Sequence, residues 1–162
     1  MTENVREAVY RAEQILRKML DNADVSPFVQ IHGSKVYLSP DRKFGDLDSI
    51  QRYVDAVLAL NWMQATYPNA KRSVTVRERK GDNFAHYQLD TIAVPIKPRG
   101  DLSRWAMREL VVLHELAHHL DKNSGHSETF TAVFLDLIGQ FMSMEASWIL
   151  RSLFNDEGVS IA

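Results

Sequence analysis

The chain has 162 residues, 45% of them hydrophobic and 25% charged, which is enough apolar material for the core of one globular domain. Its formal net charge of −2 lacks the basic excess of proteins that bind nucleic acid, so nucleic acid is not expected as a partner. The absence of cysteine excludes disulfides, thiolate zinc sites and cysteine nucleophiles, and any metal ion must be bound by His, Asp or Glu.

The N-terminal residues are charged and lead directly into an amphipathic pattern, without the apolar core of a signal peptide. No run of about 18 apolar residues occurs that would indicate a membrane-spanning helix. We therefore expect a cytoplasmic protein without a membrane partner, folded as a single domain over residues 1–162.

The first predicted element is a surface helix from Thr2 to about Asn22, because apolar residues recur there at helical spacing. Thr2 is its expected N-cap. The buried stripe is expected to contain Val5, Val9, Ala12, Ile15, Leu16, Met19 and Leu20. Ser26-Pro27 ends this pattern, and residues 28–32 and 35–38 on either side of Gly33-Ser34 predict a tight β-hairpin.

A second helix is predicted from about Asp48 to Thr66. Its core-facing residues are expected to be Ile50, Val54, Val57, Leu58 and Trp62. Residues 73–79 alternate between apolar and polar side chains, and residues 84–89 follow the turn signal Gly81-Asp82-Asn83. This pattern predicts a second hairpin with one solvated face.

The run Thr91–Val94 is rich in β-forming residues and stops at Pro95, which sheet edges tolerate because proline donates no ladder hydrogen bond. We therefore expect an edge strand at these residues. An edge strand beside a functional helix can pair with an extended peptide, which makes this strand a candidate substrate-binding edge. An edge strand with a purely structural role is the alternative.

The strongest chemical signal is His-Glu-Leu-Ala-His-His at residues 114–119. Residues 114–126 contain four of the six histidines of the chain. If residues 103–122 form a helix, His114 and His118 lie one turn apart on one face and can bind the same metal ion. Glu115 lies about 100° further around the helix, where it can act as a general base on a water molecule at the metal.

A catalytic zinc site has three protein ligands and an open position, so the histidine pair needs one further ligand. His126 is our preferred third ligand, because a turn at Gly125 can bring the chain back toward the metal. The alternatives are Asp121, on the same helical face, and Glu128, in the first turn of the next helix. His119 points away from His118 and is expected to pack or to orient a ligand.

Beyond His126, Ser127 can N-cap a long apolar helix that is predicted to end near Gly158. The predicted fold class is therefore α+β. It comprises an N-terminal helix, a small, mostly antiparallel twisted sheet with an edge strand, the HExxH helix, and a long C-terminal closing helix.

With HELAHHL at 114–120 and the sequence Gly-His-Ser-Glu-Thr-Phe at 125–130, the chain resembles zincin-like metallohydrolases over residues 110–134. It is similar to the SprT-like and minimal gluzincin groups, and to small uncharacterised bacterial metallohydrolases with an HELAHHL core. The resemblance implies one zinc ion per chain, with His114, His118 and His126 as ligands and Glu115 as the base. The chain departs from the family pattern at Ser127, where the family has glycine. The chain also lacks the cysteine-rich ribbon that many SprT-like proteins use to bind DNA.

These residues together predict a zinc-dependent metallopeptidase that acts on a peptide or protein substrate. Tyr87 and His86 are candidate hydrogen-bond donors to the developing oxyanion. The alternatives are a metal-dependent endoribonuclease and a non-catalytic accessory protein that a metal ion stabilises. The seven residues between His118 and His126 and the lack of basic excess argue against the ribonuclease.

Overall fold

The computed structural model describes residues 2–80, 84–96 and 106–162. The chain forms two compact units, one built from Met1–Asp41 and Asn123–Ala162 and the other from Arg42–Lys122. The described residues form six α-helices, a two-stranded antiparallel sheet and a three-stranded mixed sheet, which confirms the predicted α+β class. The zincin-like identity of this fold and its description as a single domain stay predictions.

In chain order the elements are α1 (Thr2–Asn22), β1 (Phe28–Ile31), β2 (Ser34–Tyr37), α2 (Leu47–Ala59), α3 (Asn61–Thr66), a 3₁₀-helix (Pro68–Lys71), β3 (Thr75–Glu78), β4 (His86–Gln88), β5 (Thr91–Val94), α4 (Glu109–Leu120), α5 (Glu128–Phe141) and α6 (Met144–Asp156). No helix within the described part of the chain is both long enough and apolar enough to cross a lipid bilayer.

The first unit contains α1, the β1–β2 hairpin, α5 and α6, and α6 packs against both α1 and α5. The bounds of α1 agree with the prediction, although the side chain of Thr2, its expected N-cap, lies outside the described part of the structure. Four residues of the predicted stripe are buried: Val9, Ala12, Leu16 and Leu20. Val5 and Met19 are partly exposed, and Ile15 is exposed at 38%, because it lies on the solvent side of the stripe.

The predicted hairpin in this unit is confirmed, with β1 and β2 antiparallel and Phe28 opposite Tyr37, but its turn lies one residue earlier than the predicted Gly33-Ser34. His32 and Gly33 form its two-residue turn with φ values of 48° and 81°. Two positive φ values in succession match the twist of the flanking strands, and Gly33 adopts this conformation without strain.

The long closing helix predicted from Ser127 to near Gly158 is wrong in one respect, because the structure divides it into α5 and α6. Met142 leaves helical geometry with φ −102° and ψ −80°. Ser143 is extended, and its side chain accepts a hydrogen bond from the backbone N–H of Ala146. A serine that caps the following turn competes with continuation of the helix, which explains the break.

The second unit contains α2, α3, the 3₁₀-helix, the three-stranded sheet and α4. The prediction of one helix from Asp48 to Thr66 is corrected, because Leu60 is extended at φ −64° and ψ 133° and separates α2 from α3. This break changes the direction of the apolar face. Trp62, expected in the core, is 38% exposed, and Met63 is buried in its place.

The strand order in the three-stranded sheet is β3-β5-β4, with β5 parallel to β3 and antiparallel to β4. Two predictions are therefore wrong: residues 73–79 do not pair with residues 84–89, and Thr91–Val94 is the central strand rather than an edge. Burial explains the central position, because Ile92, Ala93 and Val94 are all at most 1% exposed. The predicted turn at residues 81–83 lies outside the described residues.

The outer side of β3 is covered by a side chain from α2. The Gln51 amide donates to the carbonyl oxygen of Val74 at 2.8 Å and accepts from the N–H of Val76 at 2.8 Å. These two bonds satisfy backbone groups at the start of β3 that a neighbouring strand would otherwise pair with. The edge strands of this sheet are β3, whose start is occupied by Gln51, and β4.

The HExxH helix begins later than predicted, at Glu109 rather than at residue 103. Residues 106–108 are not helical, and residues 103–105 lie outside the described part of the chain. The backbone N–H of Phe44 donates to the carbonyl oxygen of Met107, and the backbone N–H of Glu109 donates to the carbonyl oxygen of Arg42. This extended pairing uses backbone groups that a longer helix would need, so α4 starts at Glu109.

Candidate metal centre

Two histidines of α4 lie one turn apart, as the HExxH spacing requires. The rings of His114 and His118 are 5.0 Å apart between centroids and inclined at 65°. The apolar residues Leu110, Leu113 and Leu116 anchor this helix in the core of its unit, each at most 2% exposed. The helix therefore places both imidazoles on one face.

His126 lies just before α5, where two local features define the path of the chain. Gly125 has a φ of 77°, the left-handed conformation that lets the chain turn after α4. Ser127 is the N-cap of α5, and its side chain accepts from the N–H of Phe130, as predicted. His126 thus directly precedes a capped helix.

Two aromatic rings contact the His126 imidazole edge to face. The Tyr10 ring on α1 has its centroid 5.4 Å away at 66°, and the Phe130 ring on α5 has its centroid 5.0 Å away at 84°. Such contacts favour one ring orientation over others. Nothing in the sequence pattern indicated Tyr10, because helical periodicity assigns it a face of α1 but not a distant partner.

The three predicted metal ligands come together. One potential ligand atom from each of His114, His118 and His126 lies within 4.8 Å of the other two. Among the described residues, the group of potential ligands at this point contains neither Asp121 nor Glu128. Asp121 is the C-cap of α4 and Glu128 lies in the exposed first turn of α5. The choice of His126 as third ligand stays a prediction that this geometry supports.

The donor set is suited to a metal ion. Zinc binds imidazole nitrogens at about 2.0–2.1 Å, so ligand atoms within 4.8 Å of one another need only small side-chain rotations to meet it. His114 is fully buried, and this burial lowers its pKa from 6.5 to about 3. The imidazole is therefore neutral at neutral pH, which is the form that metal ions bind.

Glu115, the predicted base, follows His114 on α4 and is only 4% exposed. A carboxylate in such a position is shielded from bulk water. It can accept a proton only from a molecule that is held within hydrogen-bond distance of it. The structure does not test this role, which stays a prediction.

His119 is fully buried and forms hydrogen bonds away from the three clustered histidines. Its Nδ1 lies 2.8 Å from the Tyr87 hydroxyl, and its Nε2 lies 3.1 Å from the carbonyl oxygen of Arg72. Burial lowers the pKa of His119. Because a carbonyl oxygen can only accept, Nε2 carries the proton of the neutral ring, and Nδ1 accepts from the Tyr87 hydroxyl.

The Tyr87 hydroxyl also lies 3.1 Å from Asp90, whose carboxylate forms hydrogen bonds with the Arg72 guanidinium. The hydrogen bond from Arg72 holds the pKa of the Asp90 carboxyl below its ordinary value, so Asp90 is an anion at neutral pH. These bonds occupy the Tyr87 hydroxyl, which was one of two candidate oxyanion donors. The other candidate, His86, lies on the same strand, β4, next to Tyr87.

The sequence pattern predicted that His119 would pack or orient a ligand, but it did not indicate the residues that bond to it or to one another around it. Tyr87, Asp90 and Arg72 are ordinary hairpin and loop residues in sequence. Asp90 has a φ of 58° and Leu89 a φ of 50°, so the β4–β5 turn has two left-handed residues without glycine or asparagine to signal it.

Comparisons with known protein families, with curated proteins and with solved structures find no match for this chain.

Proposed function

We propose that this chain is a zinc-dependent hydrolase of peptide bonds of the HExxH, zincin-like type. The proposal assigns one zinc ion per chain, with His114, His118 and His126 as ligands and Glu115 as general base. The observation that carries it is the clustering of these three histidines within 4.8 Å, beside a buried glutamate on the same helix.

The donor set supports zinc among the biological metal ions. Three neutral imidazoles favour zinc and other late transition metals, whereas calcium and magnesium prefer oxygen ligands. Three protein ligands leave one coordination position for water or substrate, which distinguishes a catalytic zinc site from a closed structural one. When bound, the ion would supply a Lewis acid that polarises a carbonyl group and lowers the pKa of water.

Glu115 supplies the proton transfers in this proposal. Its carboxylate takes a proton from the attacking water and delivers it to the leaving nitrogen, so that the amide departs as an amine. Burial of Glu115 limits exchange of that proton with the solvent. A peptide or protein substrate therefore fits better than a substrate without an amide bond.

Substrate binding is assigned to β4 rather than to Thr91–Val94. The strand β5 is central, Gln51 occupies the start of the edge strand β3, and β4 is the edge strand that contacts α4. An extended peptide added at β4 would run beside α4. It would gain backbone hydrogen bonds that do not depend on the sequence of the peptide.

Digestion assays on casein and on structured RNA, each with and without a metal chelator, test the proposal. We expect zinc-dependent cleavage of casein that the Glu115→Gln variant lacks. Cleavage of RNA alone would indicate the ribonuclease instead. Zinc binding that raises the unfolding temperature without cleavage of either substrate would indicate a metal with a purely structural role.

A further inference from the structure

Three atoms of His119 form hydrogen bonds that join the last turn of α4 to two other elements of the same unit. The ring bonds to Tyr87 on β4 and to the carbonyl oxygen of Arg72 directly after the 3₁₀-helix, at 2.8 Å and 3.1 Å. Its backbone carbonyl oxygen accepts from the side-chain amide of Asn69 at 3.2 Å. We call His119, Tyr87, Asp90, Arg72 and Asn69 the His119 network.

The position of His119 makes this network relevant to the metal centre. His118 directly precedes it in the last turn of α4, so the two Cα atoms differ by one step of about 1.5 Å along the helix axis and about 100° around it. A ring whose two nitrogens are both bonded can neither rotate nor shift without breaking a bond. Whatever holds His119 therefore also holds the backbone that carries His118.

The turn that presents Tyr87 and Asp90 is strained. Leu89 adopts a φ of 50°, which residues other than glycine, asparagine and aspartate rarely do, and Asp90 follows it with a φ of 58°. Asp90 remains there because its carboxylate accepts from the Arg72 guanidinium and its N–H donates to the Tyr87 hydroxyl. Strained backbone that surrounding hydrogen bonds maintain is concentrated at functional sites.

We propose that His119 is a positioning residue that, through the His119 network, fixes the last turn of α4 and with it the metal ligand His118. The inference rests on the proposed function, since it requires that His118 bind a metal. Residues that orient ligands change metal affinity by about 10-fold to 100-fold when they are removed. His119 acts through the backbone of its neighbour, so the lower end of that range applies.

The test compares two variants that each remove one phenol hydroxyl bonded to α4. Tyr87→Phe removes the bond to His119 in the last turn, whereas Tyr53→Phe removes the bond to Glu109 in the first turn. Both tyrosines are half-buried, so the two substitutions are matched in chemistry and exposure. Asn69→Ala removes a second contact of His119 and serves as an independent variant.

Zinc affinity is measured by competition with a chromophoric chelator, ligand geometry by the absorption bands of the Co²⁺-loaded protein, and stability by urea unfolding without metal. We expect Tyr87→Phe and Asn69→Ala to bind zinc about 10-fold more weakly and to shift the Co²⁺ bands. Tyr53→Phe should lower the urea midpoint but leave zinc affinity and the Co²⁺ bands unchanged.

Three results would overturn the inference. If Tyr87→Phe and Asn69→Ala bind zinc like the unmodified protein, or if Tyr53→Phe weakens zinc binding equally, His119 contributes only stability while the proposed function stands. If the unmodified protein itself binds no zinc, the proposed function fails, and with it the inference.

Discussion

His114 shows what burial does for a metal ligand. Its imidazole is 1% exposed and stays neutral because protonation in the core would bury a charge without water. Solvent would protonate a more exposed histidine at a higher pH and so weaken metal binding under mildly acidic conditions.

The two histidines of α4 should both be necessary for metal binding. We expect the purified protein to contain about one zinc ion per chain, and His114→Ala or His118→Ala to remove it, because two remaining ligands bind zinc weakly. Elemental analysis measures the metal content, and His32→Ala, a histidine on the β1–β2 turn, is the control. Full zinc content in both α4 variants would exclude the site.

Glu115 should be dispensable for binding but not for turnover. Glu115→Gln keeps the shape of the side chain and removes its ability to accept a proton, so hydrolysis should fall by about two to four orders of magnitude with the metal retained. Peptide hydrolysis and zinc content are measured on the same preparation. If the variant loses its zinc, Glu115 is a ligand rather than the base.

The third ligand can be identified by comparing three substitutions. His126→Ala should weaken zinc binding strongly, whereas Asp121→Ala and Glu128→Ala should leave it close to that of the unmodified protein, because neither carboxylate belongs to the histidine cluster. Chelator competition gives the three affinities. The assignment is wrong if either acidic variant loses the metal and His126→Ala does not.

Within each unit, a short interruption divides a stretch that the sequence pattern predicts as one long helix. Leu60 separates α2 from α3, and Met142 with Ser143 separates α5 from α6. A Cβ atom added at Gly139 would lie 3.3 Å from the sulfur of Met144. The helix α5 and the start of α6 therefore approach closely at this glycine. Neither interruption contains the proline that would have signalled it in the sequence.

Ser143 should be a measurable source of stability. Its side chain accepts from the Ala146 N–H at 2.9 Å, so Ser143→Ala should lower the free energy of unfolding by about 1 kcal/mol. Urea unfolding measures the loss. Ser26→Ala, at an exposed serine outside the helices, is the control, and equal effects of the two substitutions would contradict a capping role.

At the scale of the whole molecule, stability should depend on pH through a buried acid. Glu13 on α1 is 8% exposed, and burial raises its pKa well above 4.5 although Arg17 partly opposes the shift. The native state then binds the proton more tightly than the unfolded chain. The free energy of unfolding therefore falls by about 1.4 kcal/mol per pH unit as pH rises from 4.5 toward the folded-state pKa.

Glu13→Gln removes this titration, so the variant should be more stable than the unmodified protein at pH 7 and equally stable at pH 4. Urea unfolding across this pH range measures the difference. Glu7→Gln, at an exposed glutamate of the same helix, is the matched control. A Glu13→Gln variant that is less stable at pH 7 would mean that the charged form is the one the fold stabilises.

Local patterns in the sequence were sufficient for several features. The bounds of α1, the β1–β2 hairpin and the Ser127 cap followed from spacing and turn chemistry. The pairing of His114 with His118 needed only the 3.6-residue turn of a helix. Such features form between residues close in the chain, so neighbouring residues contain most of the information that determines them.

Only the tertiary structure decided which strand is central and which residues surround the metal ligands. Gln51 bonds to Val76 across 25 positions, and His119 bonds to Tyr87 across 32. These contacts depend on how apolar faces pack over long separations, which periodicity cannot specify. For that reason the sequence predicted the HExxH histidine pair, whereas it did not predict the sheet order or the hydrogen bonds of His119.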